Sequence, residues 1–156
     1  MPRIVILTEG RTEPNVAKTA AGVVRYRTKD VVALLDTTQA GRTAQDLLGT
    51  GGDIPIVAHL SDVEADTLLI GISPVGGSLP DTWRPVIREA IERGMKVIGG
   101  LHVFVGDDPE FKALAREKGV EIVDARRPPD DLTVSANIAR NAPCFRVHTV
   151  GNDCNV

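Results

Sequence analysis

Short aliphatic runs alternate with stretches of helical period along this chain, from its first residues to its last. Ile4-Val5-Ile6-Leu7 is an unbroken apolar run, the mark of a strand buried on both faces, and Thr8-Glu9-Gly10 ends it. Pro14 suits a first helical turn, with Thr12 or Glu13 as its cap, and apolar spacing continues from Val16 to Tyr26. Further strands are predicted over 31–36, 54–57, 66–72, 96–100 and 120–124. Pro55 places the 54–57 run at a sheet edge or a strand start. Helices are predicted over 42–48, 82–93 and 109–118, stopped by Gly49, Gly94 and Gly119. In the second of these, Val86, Ile87, Ala90 and Ile91 share one face. Asp107 or Asp108 caps the third. Residues 126–131 form a stiff polar linker, and a last strand is predicted over 145–150.

Strand and helix alternating through short connections predict an α/β, Rossmann-like, doubly wound fold with a mostly parallel sheet and helices on both faces. Composition agrees: 42% of the 156 residues are hydrophobic but only 3% aromatic, so Val, Ile, Leu and Ala must build the core. Trp83, Met95 and Tyr26 are read as core or interface residues. A net charge of -3 gives no electrostatic reason to expect nucleic acid as a partner. The apolar start is too short for a membrane span or a signal peptide. Two cysteines make no disulfide framework, so a reducing cytoplasm is the simplest expectation. The three histidines are scattered, with no paired cysteines beside them, and no metal site is expected.

Ligands of such sheets bind beyond the carboxyl ends of the strands, where strand order reverses. Polar or glycine-rich segments stand at those ends over 8–12, 36–41, 73–78, 99–102 and 124–127. The first has one glycine where a dinucleotide loop wants three, and its carboxylate would repel a pyrophosphate, so NAD is disfavoured. Asp36 is either a ribose- or substrate-binding acid or a strand-terminating turn residue. Ser73, Gly76 and Gly77 form either an anion-binding nest for a cofactor phosphate or a turn before a helix. His102 is a candidate general base or ligand-positioning group, or else a structural histidine, and Lys18 is a solvated helical lysine unless it stands near the sheet's ligand edge. Arg126 and Arg127 are candidates for binding a carboxylate or a phosphate in a forked geometry, or else face solvent.

The predicted last strand runs into Gly151-Asn152-Asp153-Cys154-Asn155-Val156, which reads as the opening of a phosphate-binding loop. The lysine and hydroxyl residue of such a loop do not follow. Residues 1–143 are therefore expected to form one domain, and 144–156 the first strand and loop of a truncated P-loop domain. Gly151, Asn152, Asp153 and Cys154 would then belong to a cofactor site completed elsewhere.

The ordered segments together resemble a known family. They are Lys18-Thr19-Ala20 with Arg25-Tyr26, Leu35-Asp36 with Ala40-Gly41, and Ile54-Pro55-Ile56-Val57. They continue with 69–77, Gly100-Leu101-His102, Asp107-Asp108-Pro109, 124–129 and Thr149-Val150-Gly151-Asn152-Asp153-Cys154. In this order the chain resembles the domain of unknown function 1611 family, which includes D-glutamate N-acetyltransferases of D-amino-acid catabolism. The resemblance implies an N-terminal Rossmann-like domain that works with a C-terminal P-loop domain, and acyl transfer from acetyl-CoA to an amino acid amine; a homo-oligomer is expected. Two alternatives stay open: a nucleotide-dependent ligase or kinase-like enzyme of the dethiobiotin-synthetase type, and a non-catalytic binding and dimerisation module. Acetyl-CoA or a nucleotide is the implied cofactor and a small molecule the substrate, with Lys18, Arg126 and Arg127 the candidates for holding its carboxylate and His102 and Lys18 the candidate catalytic residues. Neither cofactor is expected to bind tightly to these residues alone, which are expected to be inactive by themselves.

Overall fold

The apolar runs pair into one six-stranded sheet. A computed structural model describes residues 1–131, 142–145 and 147. The strands are β1 (Ile4–Leu7), β2 (Val31–Leu35), β3 (Ile56–Val57), β4 (Thr67–Ile70), β5 (Lys96–Gly99) and β6 (Ile122–Asp124). They lie in the order β3-β2-β1-β4-β5-β6, and every pairing is parallel. Leu7 stands between Leu35 and Ile70 in register, so three strand ends finish level beside one another. β1 and β4 are buried at every position, which is why their sequences are continuous rather than alternating. The edge strand β3 is the shortest, with Pro55 just before it, where a missing amide costs no ladder bond.

Four helices connect the strands: α1 (Lys18–Tyr26), α2 (Ala44–Leu48), α3 (Arg84–Glu92) and α4 (Pro109–Lys118). The chain steps outward from β1 to β2 and β3, then returns beside β1 and steps the other way through β4, β5 and β6. Crossovers of one hand in opposite directions put the two sets of helices on opposite faces. Ile87, Ala90 and Ile91 are the buried face of α3, and each buried isoleucine contributes about 2–3 kcal/mol of apolar transfer free energy. Trp83 and Met95 join this core, whereas Tyr26 is 83% exposed.

The helix boundaries follow local chemistry where the caps are local. α4 runs from Pro109 to Lys118, with Asp108 accepting from the amides of Glu110 (3.0 Å) and Phe111 (3.3 Å) and with Gly119 left-handed at its end. Asp108 also takes a two-pronged bond from Arg84 on α3 (2.7 and 3.1 Å), and Arg84 reaches Glu110 at 2.7 Å while covering the Phe111 ring at 4.6 Å. That guanidinium holds the Asp108 carboxyl below its ordinary range. α2 begins later than its apolar pattern, because Thr43 caps it in a reciprocal pair with Asp46.

α1 departs most from expectation. Pro14 precedes it, and neither Thr12 nor Glu13 caps it; the amides of Val16 and Ala17 turn back to the Glu13 carbonyl (3.1 and 2.7 Å). The helix proper starts at Lys18, where the Ala20 amide donates to the Gly71 carbonyl at the end of β4 (2.9 Å). Gly71 is required by that approach: a Cβ there would stand 2.4 Å from Ile6 Cγ2 and 2.9 Å from Ala20 Cβ. The strand predicted over 145–150 and the loop over 151–156 lie outside the described residues, apart from Phe145 and Val147, which are exposed. Among the described residues no helix is long and apolar enough to cross a membrane.

Candidate functional site

Strand order reverses between β1 and β4, so the loops leaving these two strands part and open a crevice. The first loop is held rigidly to β2. Thr8 N donates to Leu35 O (3.0 Å), Thr12 Oγ1 donates to Asp36 Oδ2 (2.5 Å), and Thr12 Oγ1 lies 2.8 Å from Thr8 Oγ1. Asp36 Oδ1 accepts from the Thr38 amide (2.9 Å) and hydroxyl (2.7 Å). Glu9 is held in the same manner by the Thr37 amide (2.9 Å) and hydroxyl. Asp36 is wholly buried. Burial alone would raise its pKa, but the bonds from Thr12, Thr38 and the Gly10 amide together hold it below the usual carboxylate range. Its acceptors are thus taken by the protein itself, at the place where a dinucleotide fold offers an acid to a ribose.

With Asp36 and Glu9 bound to their own threonines, the side chains that line the crevice are cationic or neutral. A cleft of about 640 Å³ is lined by Arg11 from the β1 loop, Asn15, Val16, Lys18 and Thr19 at the start of α1, Ser73 beyond β4, and Arg126 beyond β6. Among the described residues Arg11, Lys18 and Arg126 have no acidic partner. Three full positive charges from three separate segments, together with the hydroxyls of Thr19 and Ser73, are a donor set for an anion. Among the described residues no carboxylate lines the cleft to offset them.

Arg126 and Arg127 divide sharply. Arg127 bonds Asp107 (2.8 Å) and Asp124 (3.4 Å), and its guanidinium lies 4.2 Å from the Phe104 ring centroid. Its pKa is raised, chiefly by Asp107. Asp124 in turn accepts from the amides of Val105 (2.7 Å) and Gly106 (3.1 Å), fixing the β5 loop against β6. Arg127 is therefore a structural clasp, and its neighbour Arg126 is the arginine that reaches the cleft.

The glycine turn and His102 meet on the adjoining side. Gly76 and Gly77 have φ of 82° and 65°, values that favour glycine. The Gly77 amide donates to Pro74 O (2.8 Å), so this member of the expected nest is already used within the turn. The Gly77 carbonyl accepts from the amides of His102 (3.0 Å) and Val103 (3.3 Å), and the His102 ring packs on the Gly77 Cα. His102 itself is exposed and is not among the residues lining the cation cleft.

Of the residues that sequence singles out, the structure brings together Lys18, Ser73 and Arg126 in the cleft, and Gly77 with His102 beside it. Asp36 and Arg127 are engaged in internal bonds. Gly151, Asn152, Asp153 and Cys154 lie outside the described residues. Arg11, Asn15 and Thr19 were missed. Arg11 lies in the strand-end loop over 8–12, whose glycine content alone bears on a dinucleotide, whereas Asn15 and Thr19 lie beyond that loop and carry no local signal of a site. Among the described residues no group of three or more His, Cys, Asp or Glu is placed to hold a metal.

Comparison with known proteins adds to this geometry. Residues 37–128, more than half of the chain, match the family described as "Domain of unknown function (DUF1611_N) Rossmann-like domain". A D-glutamate N-acetyltransferase of a Pseudoalteromonas species is 30% identical over 109 residues, 70% of this chain and 32% of the relative. A D-glutamate N-acetyltransferase of Tritonibacter scottomollicae is 33% identical over 92 residues, 59% of this chain and 27% of the relative. Each match thus spans about a third of the curated relative or less. The crystal structure of a DUF1611 family protein from Anabaena variabilis superposes with a TM-score of 0.78 at 32% identity, covering 92% of this chain and 42% of that one.

Proposed function

This chain belongs to the DUF1611_N family of Rossmann-like domains, and on that premise we propose that it is the substrate-holding domain of an amino acid N-acetyltransferase. The acyl acceptor is D-glutamate or a close relative of it, as in the similar enzymes. The observation that carries this proposal is the convergence of Arg11, Lys18 and Arg126 on one cleft that no acid lines among the described residues. A dicarboxylate matches that charge, and planar guanidinium groups match carboxylates in two-pronged geometry.

Acyl transfer requires the acceptor nitrogen as a free amine. The nitrogen attacks the thioester carbonyl carbon, the C–S bond breaks, the amine loses a proton and the carrier leaves as a thiol. A cleft that holds three cations disfavours a fourth positive charge, so it lowers the pKa of an ammonium bound within it. The substrate would then arrive closer to its reactive form. His102 on the adjoining loop is the side chain assigned to take that proton, while Lys18 stays a cation and holds a carboxylate. Acetyl-CoA supplies the activated acyl group, and a P-loop domain of the kind the family resemblance implies would hold the remainder of the reaction.

Isothermal titration of the chain with D-glutamate tests this assignment. Saturable binding that weakens with added salt and is lost in Arg126→Met supports it. Absence of binding by the unaltered chain at millimolar D-glutamate overturns it.

A further inference from the structure

Lys18 lines two cavities. Beside the switch-point cleft a second groove of about 280 Å³ runs along the solvent face of α1, with walls from Pro14, Lys18, Gly22, Arg25, Tyr26 and Leu48. Ala20 and Val24 are the core face of this helix, so the groove side is the opposite one. Lys18 and Arg25 stand two helical turns apart on that side, about 10 Å along the axis. Among the described residues neither has an acidic partner.

Two features of the groove are unexplained by packing. Gly22 sits in the middle of α1, where glycine costs about 1 kcal/mol relative to alanine. A Cβ at that position would meet no atom within 4 Å, so no neighbour excludes a side chain. The space over Gly22 is open between the two cations. Tyr26, the sole tyrosine of the chain, closes the far end and is 83% exposed. On its other side Arg27 is paired with Asp30 at 2.7 Å.

A flat heterocycle stacks on an exposed tyrosine, and phosphates run along a line of cations over a gap without side chains. We propose that this groove binds the polyphosphate of an adenine nucleotide, with the base on Tyr26, the phosphates at Arg25 and Lys18, and the far end of the ligand directed into the cleft. Coenzyme A and a free nucleotide such as ATP share this chemistry. The inference rests on the acyl-transfer proposal only for the choice of coenzyme A as the occupant; the groove itself is independent of it. Lys18 joins the two sites and would bring carrier and acceptor to one place.

Because Tyr26 is the sole tyrosine, its ring resonances report this groove without assignment of other signals. Titrations of the ¹³C-labelled chain with coenzyme A and, separately, with ATP are expected to move those resonances to a plateau. Arg25→Ala should weaken the response about tenfold, the loss of one charge-assisted contact. Gly22→Leu, at a solvent-facing helical position, should fill the groove and abolish the response while the chain stays folded. A larger response to coenzyme A identifies the acyl carrier as occupant, and an equal or larger response to ATP identifies a free nucleotide. Unmoved Tyr26 resonances with both ligands at millimolar concentration overturn the proposal, as does a shift that follows protein concentration without ligand, which would mark self-association. Adding D-glutamate to the same sample separates the two claims. If it shifts the amides of Thr19 and Ser73 while Tyr26 ignores both nucleotides, only the groove assignment falls.

Discussion

The ring of His102 rests on the backbone of Gly77: a Cβ at Gly77 would stand 2.5 Å from His102 Cγ and 2.7 Å from its Cβ. The loop beyond β4 and the loop beyond β5 are thereby fitted to each other, and the Gly77 carbonyl ties them through the amides of His102 and Val103. Gly77 at φ 65° and Gly76 at φ 82° both pay for a side chain in strain, but only Gly77 is also crowded. Each alanine substitution should lower stability by about 1–2 kcal/mol in urea unfolding. The ring resonances of His102 should move in Gly77→Ala and stay in place in Gly76→Ala. Equal His102 spectra in the two variants would mean that the contact does not position this residue.

Thr12→Val should destabilise the chain by about 1–2 kcal/mol at neutral pH, because it leaves the buried Asp36 carboxylate short of a donor. Asp36 has a pKa lowered in the folded state. Its contribution is therefore present above the unfolded carboxylate pKa and is lost as pH falls through the folded value. The gap between Thr12→Val and the unaltered chain should accordingly shrink toward pH 3. Unfolding curves at pH 7 and pH 3 check this, and a gap that widens in acid would contradict it.

Asp108 has two jobs that substitution separates. Asp108→Asn keeps an oxygen for the amides of Glu110 and Phe111 but gives up the charge facing Arg84; Asp108→Ala loses both. The alanine variant should lose about 1 kcal/mol more than the asparagine variant, the usual worth of a helix cap. Chemical denaturation measures the difference, and equal losses would place the whole contribution in the Arg84 contact.

Adjacent arginines should behave as opposites. Arg126→Ala should leave the melting temperature unchanged and reduce D-glutamate affinity roughly tenfold to a hundredfold, the range for a charged hydrogen bond. Arg127→Ala should lower the melting temperature, because Asp107, Asp124 and Phe104 all lose their partner. Thermal unfolding and calorimetric titration of the two variants check this, and a reversed pattern would exchange their roles.

What sequence conveys here depends on how local the determinant is. The strands and α4 are legible because burial on both faces writes continuous apolar runs, and because Asp108 and Gly119 lie beside the helix they bound. The start of α1 is not legible, since the Ala20 amide of its first turn is anchored to the carbonyl of Gly71, far away in sequence. Asp36 stands where a ligand-binding acid would, and nothing in its neighbourhood reveals that Thr12 returns across the sheet edge to occupy it. Arg126 and Arg127 are indistinguishable as a dipeptide; only the loop carrying Phe104 and Asp107 tells them apart. Arg11 becomes significant only when strand order brings the loops of β1, β4 and β6 toward one cleft.

A crystal structure of the chain with D-glutamate tests the central claim most directly. The ligand carboxylates are expected within hydrogen-bonding distance of Arg126 and Lys18, with Arg11 closing over them from the β1 loop. D-glutamate seated instead on the Gly76–Gly77 turn beside His102, with the three cations untouched, would contradict the account.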